Sequence, residues 1–515
     1  MSTSPLTLVH GRYVIASAKP PYGEVIRDGA VAVIGDRVVE VGAYCDLDRR
    51  YPDARRIGSA GHIVMPGLIN SHHHGWGLSA FALGASDNRL ESWLIDLAAL
   101  PHVDVYYDTL FAATRLVRSG VTTVQHSGIS RDFGQLRNET ESALRAYATI
   151  GMRVAYALQA RDRNTFAYED DDTFLSRLSP GLAQETKSAL AQMGEPSFEE
   201  FESLARELVS RYSGSALIKV LLSAEGPEWC SEPLLNGIRS LADELHVGIH
   251  MHCLETPHQR EYFRSRYGKS VLSYLDDLNF LRSDLSLAHA VWMTEEDIRL
   301  CAERGVSVCH NPSSNLRLRV GVAPLPEMLD RGINVALGLD SSGINDDDDM
   351  LQEMGLAARL HSMPRGLNSK WAPGSVDILR MATIEGAKAL GMGDEAGSLE
   401  AGMRADLVLL DYESISGPYM ADSVNPIDAV VYRARNRHVD MVMINGDLVL
   451  KGGEFTSIDE PSVREQLAAS ARNAPSPRVT AWTNALRKIR PEVEKFYAGW
   501  AEPSYKPSYF PNSLL

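Results

Sequence analysis

The sequence predicts an α/β fold: a (β/α)8 barrel of the TIM type, with a small β-sandwich formed by the N- and C-terminal segments. Three observations predict it. Eight short runs rich in Val, Ile, Leu and Ala alternate with segments of helical period through the centre of the chain. β-rich segments punctuated by Gly, Asp and Pro occupy both ends. Histidines and carboxylates stand where many of the central runs stop. At 515 residues the chain exceeds what one small core can organise, so a large barrel with a satellite domain is expected.

In chain order, residues 1–65 supply the first part of the sandwich through "LTLVHGRYVIA", "AVAVIGDRVVEVG" and "HIVMPG". Residues 66–395 form the barrel, with strands at about 68–72, 121–126, 153–159, 217–223, 247–252, 285–289, 306–310 and 334–340. Helices fill the gaps. "SFEEFESLARELVSRY" opens with a capping box, Ser197 and Glu200, and carries one apolar stripe. "TEEDIRLCAERG" is capped at Thr294 and stopped at Gly305. The stretch 161–200 reads as an unusually long loop over the barrel mouth. Residues 396–455 return to β structure through "ADLVLLD", "DAVVYRA" and "DMVMINGDLVLKGGEF". Residues 456–515 read as a helical extension with a Pro- and aromatic-rich tail.

A formal net charge of −16 argues against nucleic acid or an anionic membrane as the main partner. No run approaches the roughly 20 apolar residues needed to span a bilayer. The N-terminus lacks a basic segment followed by a long apolar run, so a cytoplasmic protein is expected. Its five cysteines are scattered and odd in number, as reduced thiols would be.

The strand ends carry the chemistry. In such a barrel they converge on one face. The first ends at His72 and His74, the second at His126, and the third near Gln159 and Arg161. The fourth leads to Glu225 and the fifth to His250, His252 and Glu255. His289, His310 and Asp340 end the last three. Alternate residues of a strand share a side, so His72 and His74 can both face the axis while His73 faces away. An HxH pair, a third His and a carboxylate make a metal site with a place for water. A divalent metal is therefore expected, zinc favoured over iron.

The motifs "PGLINSHHH", "HMHCLET", "LAHAVWMT", "CHNPSSNLRL" and "GLDSSGINDDDDMLQEM" resemble the amidohydrolase superfamily, nearest its deaminase and chlorohydrolase branch. The likeness covers about residues 5–455. It implies that His72, His74, His252 and Asp340 hold one metal, and that Glu255 moves protons to a ring nitrogen. It implies that His289 contacts the activated water, and that His310, Asn311 and Asn315 lie where substrate is touched. The implied function is hydrolytic deamination of an amino-substituted nitrogen heterocycle, with ammonia released. The alternative is hydrolysis of another C–N bond, or of a C–Cl bond on a triazine-like ring. The partners expected are that small molecule and water, and the chain is expected to form a homo-oligomer.

Some positions depart from the family pattern. Asn70 stands for a frequent Asp, and Glu225 for a substrate-contacting His. A carboxylate at 225 would suit a substrate with amino, amidine or guanidine N–H groups, or else would pair with Arg161. Trp76, with Trp229, could stack on a flat ring. Lys219 suggests a carboxylated bridge between two metals less than a buried stem with its head in a salt bridge. His250 reads as support behind the ligands or as core. The run Asp346–Asp349 reads as solvated or helix-capping.

Overall fold

The computed structural model describes residues 5–130, 132–194, 196–362 and 372–500. The barrel strands are β5 (Leu68–His73), β6 (Val121–Gly128), β7 (Arg153–Ala160) and β8 (Ile218–Ala224), then β9 (Ile249–Cys253), β10 (Leu285–His289), β11 (Ser307–His310) and β12 (Val335–Leu337). Before them come β1 (Thr7–Ser17), β2 (Glu24–Ile34), β3 (Arg37–Ala43) and β4 (Arg55–Pro66). After them come β13 (Leu407–Asp411), β14 (Val439–Ile444), β15 (Asp447–Lys451) and β16 (Glu454–Phe455). All eight central runs are strands, within three residues of the expected bounds. They pair in sequential order, every ladder parallel. Helices cover the outside and side chains fill the inside. The strands are thus buried on both faces and read as continuous apolar runs.

The barrel closes between β12 and β5 without a full ladder. A single parallel bridge joins His73 to Asp340. Asp340 N–H donates to the His72 carbonyl at 2.9 Å, and His74 N–H donates to the Asp340 carbonyl at 3.2 Å. Asn70 Oδ1 accepts from the amides of Leu339 at 3.1 Å and His72 at 3.4 Å. The seam therefore runs through the residues expected to hold the metal.

The two chain ends meet in one mixed sheet of order β16-β15-β14-β13-β4-β1-β2-β3. β4 pairs antiparallel with β13, which joins the N-terminal half to the C-terminal half. The far edge returns: Val38 N–H donates to the Met403 carbonyl at 2.9 Å, and Ala405 N–H to the Asp36 carbonyl at 2.8 Å. One apolar core, including Val9, Val31, Val38, Val64, Leu407 and Leu409, fills the curl. At the barrel base, buried Arg153 makes a two-pronged ion pair with Asp406, at 2.9 and 3.0 Å, and so ties β7 to this sheet.

Two expectations are corrected. "DAVVYRA" is not a strand but part of the helix Pro426–Arg433. Asn425 caps it by accepting from Ile427 N–H at 2.9 Å, and Pro426 sits in its first turn. Ile427, Val430 and Val431 then share a buried face against the helix Met350–Leu360, and this packing overrides their β preference. The stretch 161–200 is not a plain loop, because it holds the helices Asp171–Leu175 and Pro180–Met193. The C-terminal extension folds as helices Glu460–Ser470 and Pro477–Ala498. The second lies across Leu90–Ala98 and Pro180–Met193. The tail beyond 500 lies outside the described residues. Among the described residues no helix is long and apolar enough to cross a membrane. All five cysteines are free thiols, and only Cys45 is exposed.

Candidate metal centre and active site

Each histidine at the seam is fixed by its outward nitrogen. His74 Nδ1 lies 3.1 Å from the Ser127 carbonyl at the end of β6. His252 Nδ1 lies 2.7 Å from the Glu225 carbonyl. A carbonyl only accepts, so each Nδ1 carries the hydrogen and each Nε2 presents a lone pair inward. His72 Nδ1 meets His250 Nε2 at 2.8 Å, and His250 Nδ1 meets Ser286 Oγ at 2.7 Å. His250 thus supports a candidate ligand from behind. His72 Nε2 is buried with no hydrogen-bond partner.

These inward atoms converge. His74 Nε2 and Asp340 Oδ1 are 3.0 Å apart, His72 Nε2 and Asp340 Oδ1 3.3 Å, and His252 Nε2 and His74 Nε2 3.4 Å. Four acceptors face one another with no donor between them, and burial lowers the pKa of His72 and His252 well below the usual value, keeping both neutral. Only a cation reconciles that set. Ligand atoms placed tetrahedrally at the usual zinc–nitrogen and zinc–oxygen lengths lie about 3.3 Å apart, which the contacts of Asp340 with His72 and His74, and of His74 with His252, match, so these donors fit the ion. Ser314 Oγ donates to the other oxygen of Asp340 and fixes the carboxylate.

Glu255 and His289 flank this centre. Glu255 Oε1 is buried without a hydrogen-bond partner, 3.7 Å from His289 Nδ1. Burial raises its pKa well above the usual value, and Asp340, Glu91 and Glu228 add to the rise. Burial thus favours the protonated form of this carboxyl. His289 Nδ1 donates to Asn315 Oδ1 at 2.9 Å, leaving Nε2 4.0 Å from Asp340 Oδ2. Leu254, His289, Ala290 and Asp340 all have left-handed backbone, with φ of 51°, 73°, 48° and 63°. Such strain at strand ends is held by the surrounding fold, and two of the four, His289 and Asp340, converge on the centre.

The remaining expected residues take other places. Asn311 lies beside His289, its Nδ2 3.4 Å from His289 Nδ1. Buried His310 contacts His361 Nε2 at 2.9 Å. With Asn315, both stand behind His289. Trp76 stacks on His74, ring centres 4.8 Å apart. Glu225 pairs with Arg161 at 3.1 Å while its carbonyl holds His252. Gln159 accepts from Ser127 Oγ at 3.0 Å. Gln159, Arg161 and Glu225 line a cleft of about 740 Å³ beneath the helix Pro180–Met193. His73 turns away to Asp348 at 3.4 Å, which also pairs with Arg115.

Two bland expectations change. Among the described residues Lys219 forms no salt bridge, and its Nζ donates to the Gly391 carbonyl at 2.6 Å. Of the aspartate run, Asp349 caps the helix Met350–Leu360 as expected, but Asp348 is buried rather than solvated. Sequence reasoning missed Ser314, Glu91, Glu228 and Gln259. Glu91 Oε1 accepts from Thr256 Oγ1 at 2.6 Å. Gln259 spans Glu255 N–H and Glu228 Oε1, at 2.5 and 2.6 Å. The one available signal was a carboxylate on the apolar face of Leu90–Ala98.

The chain matches the Amidohydrolase family over residues 63–449. It is 31% identical over 476 residues to the 5-methylthioadenosine/S-adenosylhomocysteine deaminase of Syntrophobacter fumaroxidans, covering 92% of this chain and 98% of that one. It is also 31% identical to the 5'-deoxyadenosine deaminase of Methanopyrus kandleri, covering 87% of this chain and 98% of that protein. A crystal structure of an adenosine deaminase from Xanthomonas campestris with bound zinc superposes with a TM-score of 0.76 at 28% identity, over 95% of this chain and all of that one. The family match over residues 63–449 and these relatives show that the chain belongs to the amidohydrolase family.

Proposed function

We propose that this chain is a zinc-dependent hydrolase that deaminates the heterocycle of an adenine nucleoside modified at its 5' position. One observation carries the reading: the buried carboxyl of Glu255 converges with His289 and Asp340, beside two further groups, His72 with His74 and Asp340 and His72 with His252 and His289, as ring deamination needs. The relatives named for deamination of adenine nucleosides support the substrate class, and the zinc of the solved adenosine deaminase supports the metal.

His72, His74, His252 and Asp340 would hold the ion, which when bound lowers the pKa of water toward about 7. Asp340 Oδ2, on the side of His289, accepts a proton from the attacking water. His289, fixed by Asn315, orients that water through Nε2. Glu255 donates to the ring nitrogen next to the attacked carbon, which becomes tetrahedral. The proton taken from water then passes from Asp340 to the amine, which leaves as ammonia while the new hydroxyl returns its proton to Glu255 and becomes the ring carbonyl. Burial excludes bulk water from this exchange.

The test is ammonia release by the zinc-loaded protein. The panel holds 5'-deoxyadenosine, methylthioadenosine, adenosine, guanine and an aminotriazine. Ammonia from the adenine nucleosides is expected, with kcat lowered at least about 100-fold in Glu255→Gln. No ammonia from any of them, with zinc bound, would overturn the reading.

A further inference from the structure

Glu255 is followed at once by the helix Pro257–Tyr267, whose N-cap is Thr256. The run "TPHQ" gives that helix a capping box, in which the side chain of the third helical residue, Gln259, reaches back to the N-cap amide. Here the box is drawn one residue further back. Gln259 Oε1 lies 3.4 Å from the Thr256 nitrogen but 2.5 Å from that of Glu255, so its short bond goes to the amide of the proton donor itself. An amide whose oxygen accepts has its nitrogen left to donate, and Gln259 Nε2 donates to Glu228 Oε1 at 2.6 Å.

Gln259 and Glu228 are both buried. Glu228 lies in the turn after β8, and that turn is anchored: Asn164 Nδ2 donates to the Glu228 carbonyl at 2.5 Å, and Arg163 Nη2 to the Pro227 carbonyl at 2.9 Å. The carboxylate that holds Gln259 therefore comes from a fixed element separate from the Glu255 segment. Thr256 Oγ1 donates to Glu91 Oε1 at 2.6 Å, so a second element grips the next residue. By contrast, Glu255 Oε1 is buried without a hydrogen-bond partner. That oxygen is aimed by the main chain that carries it.

We propose that Glu228, acting through Gln259, is a positioning residue for Glu255: the pair sets the main chain from which that carboxyl reaches the ring nitrogen. The proposal rests on the deaminase reading above. Proton transfer needs donor and acceptor within hydrogen-bond reach, and a misplacement of about 1 Å can cost about 100-fold in rate. A clamp on the backbone of the donor bears on the transfer itself rather than on the binding of substrate.

The experiment measures ammonia release from 5'-deoxyadenosine by the zinc-loaded full-length protein, per bound zinc. Gln259→Leu, which cuts both bonds, is expected to lower kcat about 10- to 100-fold and to leave KM within about threefold. The same substitution in a Glu255→Gln background should lower kcat by no more than about twofold further, because the group it aims is already gone. A helix cap that served folding alone would cost both backgrounds the same factor. Gln259→Glu sets two carboxyls face to face and should also lower kcat. Adding Glu228→Gln to it exchanges donor and acceptor within the same contact and should recover most of that loss. A wild-type kcat in Gln259→Leu, equal losses in both backgrounds, or an exchange no better than Gln259→Glu alone would overturn the clamp and leave the deaminase standing. No ammonia from the wild type would overturn the deaminase reading, and the clamp with it.

Discussion

At the scale of the residue, the site depends on carboxylates held in different states by their surroundings. Asp340 faces histidine nitrogens, whereas Glu255 and Glu228 are buried among acids. Burial pushes the Glu228 carboxyl up to about 8, against an ordinary glutamate near 4.5. The native state thus keeps a proton that the unfolded chain releases. Its contribution to stability is complete below pH 4.5 and is lost as pH rises through about 8. Glu228→Gln keeps the acceptor for Gln259 and removes the titration. Its urea midpoint should gain on wild type between pH 5 and pH 8, and parallel curves would contradict this account. The convergence of His72 and His74 on Asp340 was legible because strand parity places the two histidines on one side. Glu228 was not, since a buried acid and a solvated loop acid look alike in one chain. Nor were Ser127 and Glu225 as supports, because they act through carbonyls that every residue has.

At the scale of the element, the barrel strands were legible because two-sided burial leaves unbroken apolar runs, as in "VTTVQHSG" and "RVAYALQA". The helix Pro426–Arg433 was misread for the same reason: its β-branched residues imitate a strand, and only Asn425 and Pro426 signal a helix start. The seam between β12 and β5 was not foreseen. Asn70, standing for a frequent aspartate, serves the seam through its side-chain oxygen, while its Nδ2 is buried without a hydrogen-bond partner. Asn70→Ala leaves the buried amides of Leu339 and His72 short of an acceptor, which should cost about 1–3 kcal/mol. Chemical denaturation of the zinc-free protein would measure it, and an unchanged midpoint would show that the seam does not depend on Asn70.

At the scale of the molecule, the buried Arg153–Asp406 pair joins the barrel to the outer sheet. Asp406→Ala would strand a buried guanidinium and should destabilise the protein by about 3–5 kcal/mol. Arg153→Met with Asp406→Leu should recover much of that, because an apolar pair carries no unpaired charge. A double variant as weak as the single would mean that the pair is a binding contact and not merely a compensated charge. The C-terminal helix packs on the barrel side instead, Trp482 and Leu486 lying against Ile95, Phe166 and Met193. Its existence was readable from capping and period, but its packing partners were not.

The closing bridge also sets a schedule for synthesis. His73 leaves the ribosome long before Asp340, by roughly 15–50 s at ordinary elongation rates. During that interval the outer edge of β5 has no partner, and such an edge invites pairing with other chains. A nascent chain of this protein therefore spends most of its translation time with its future centre as a raw edge, and a chaperone that shields β5 would decide the yield.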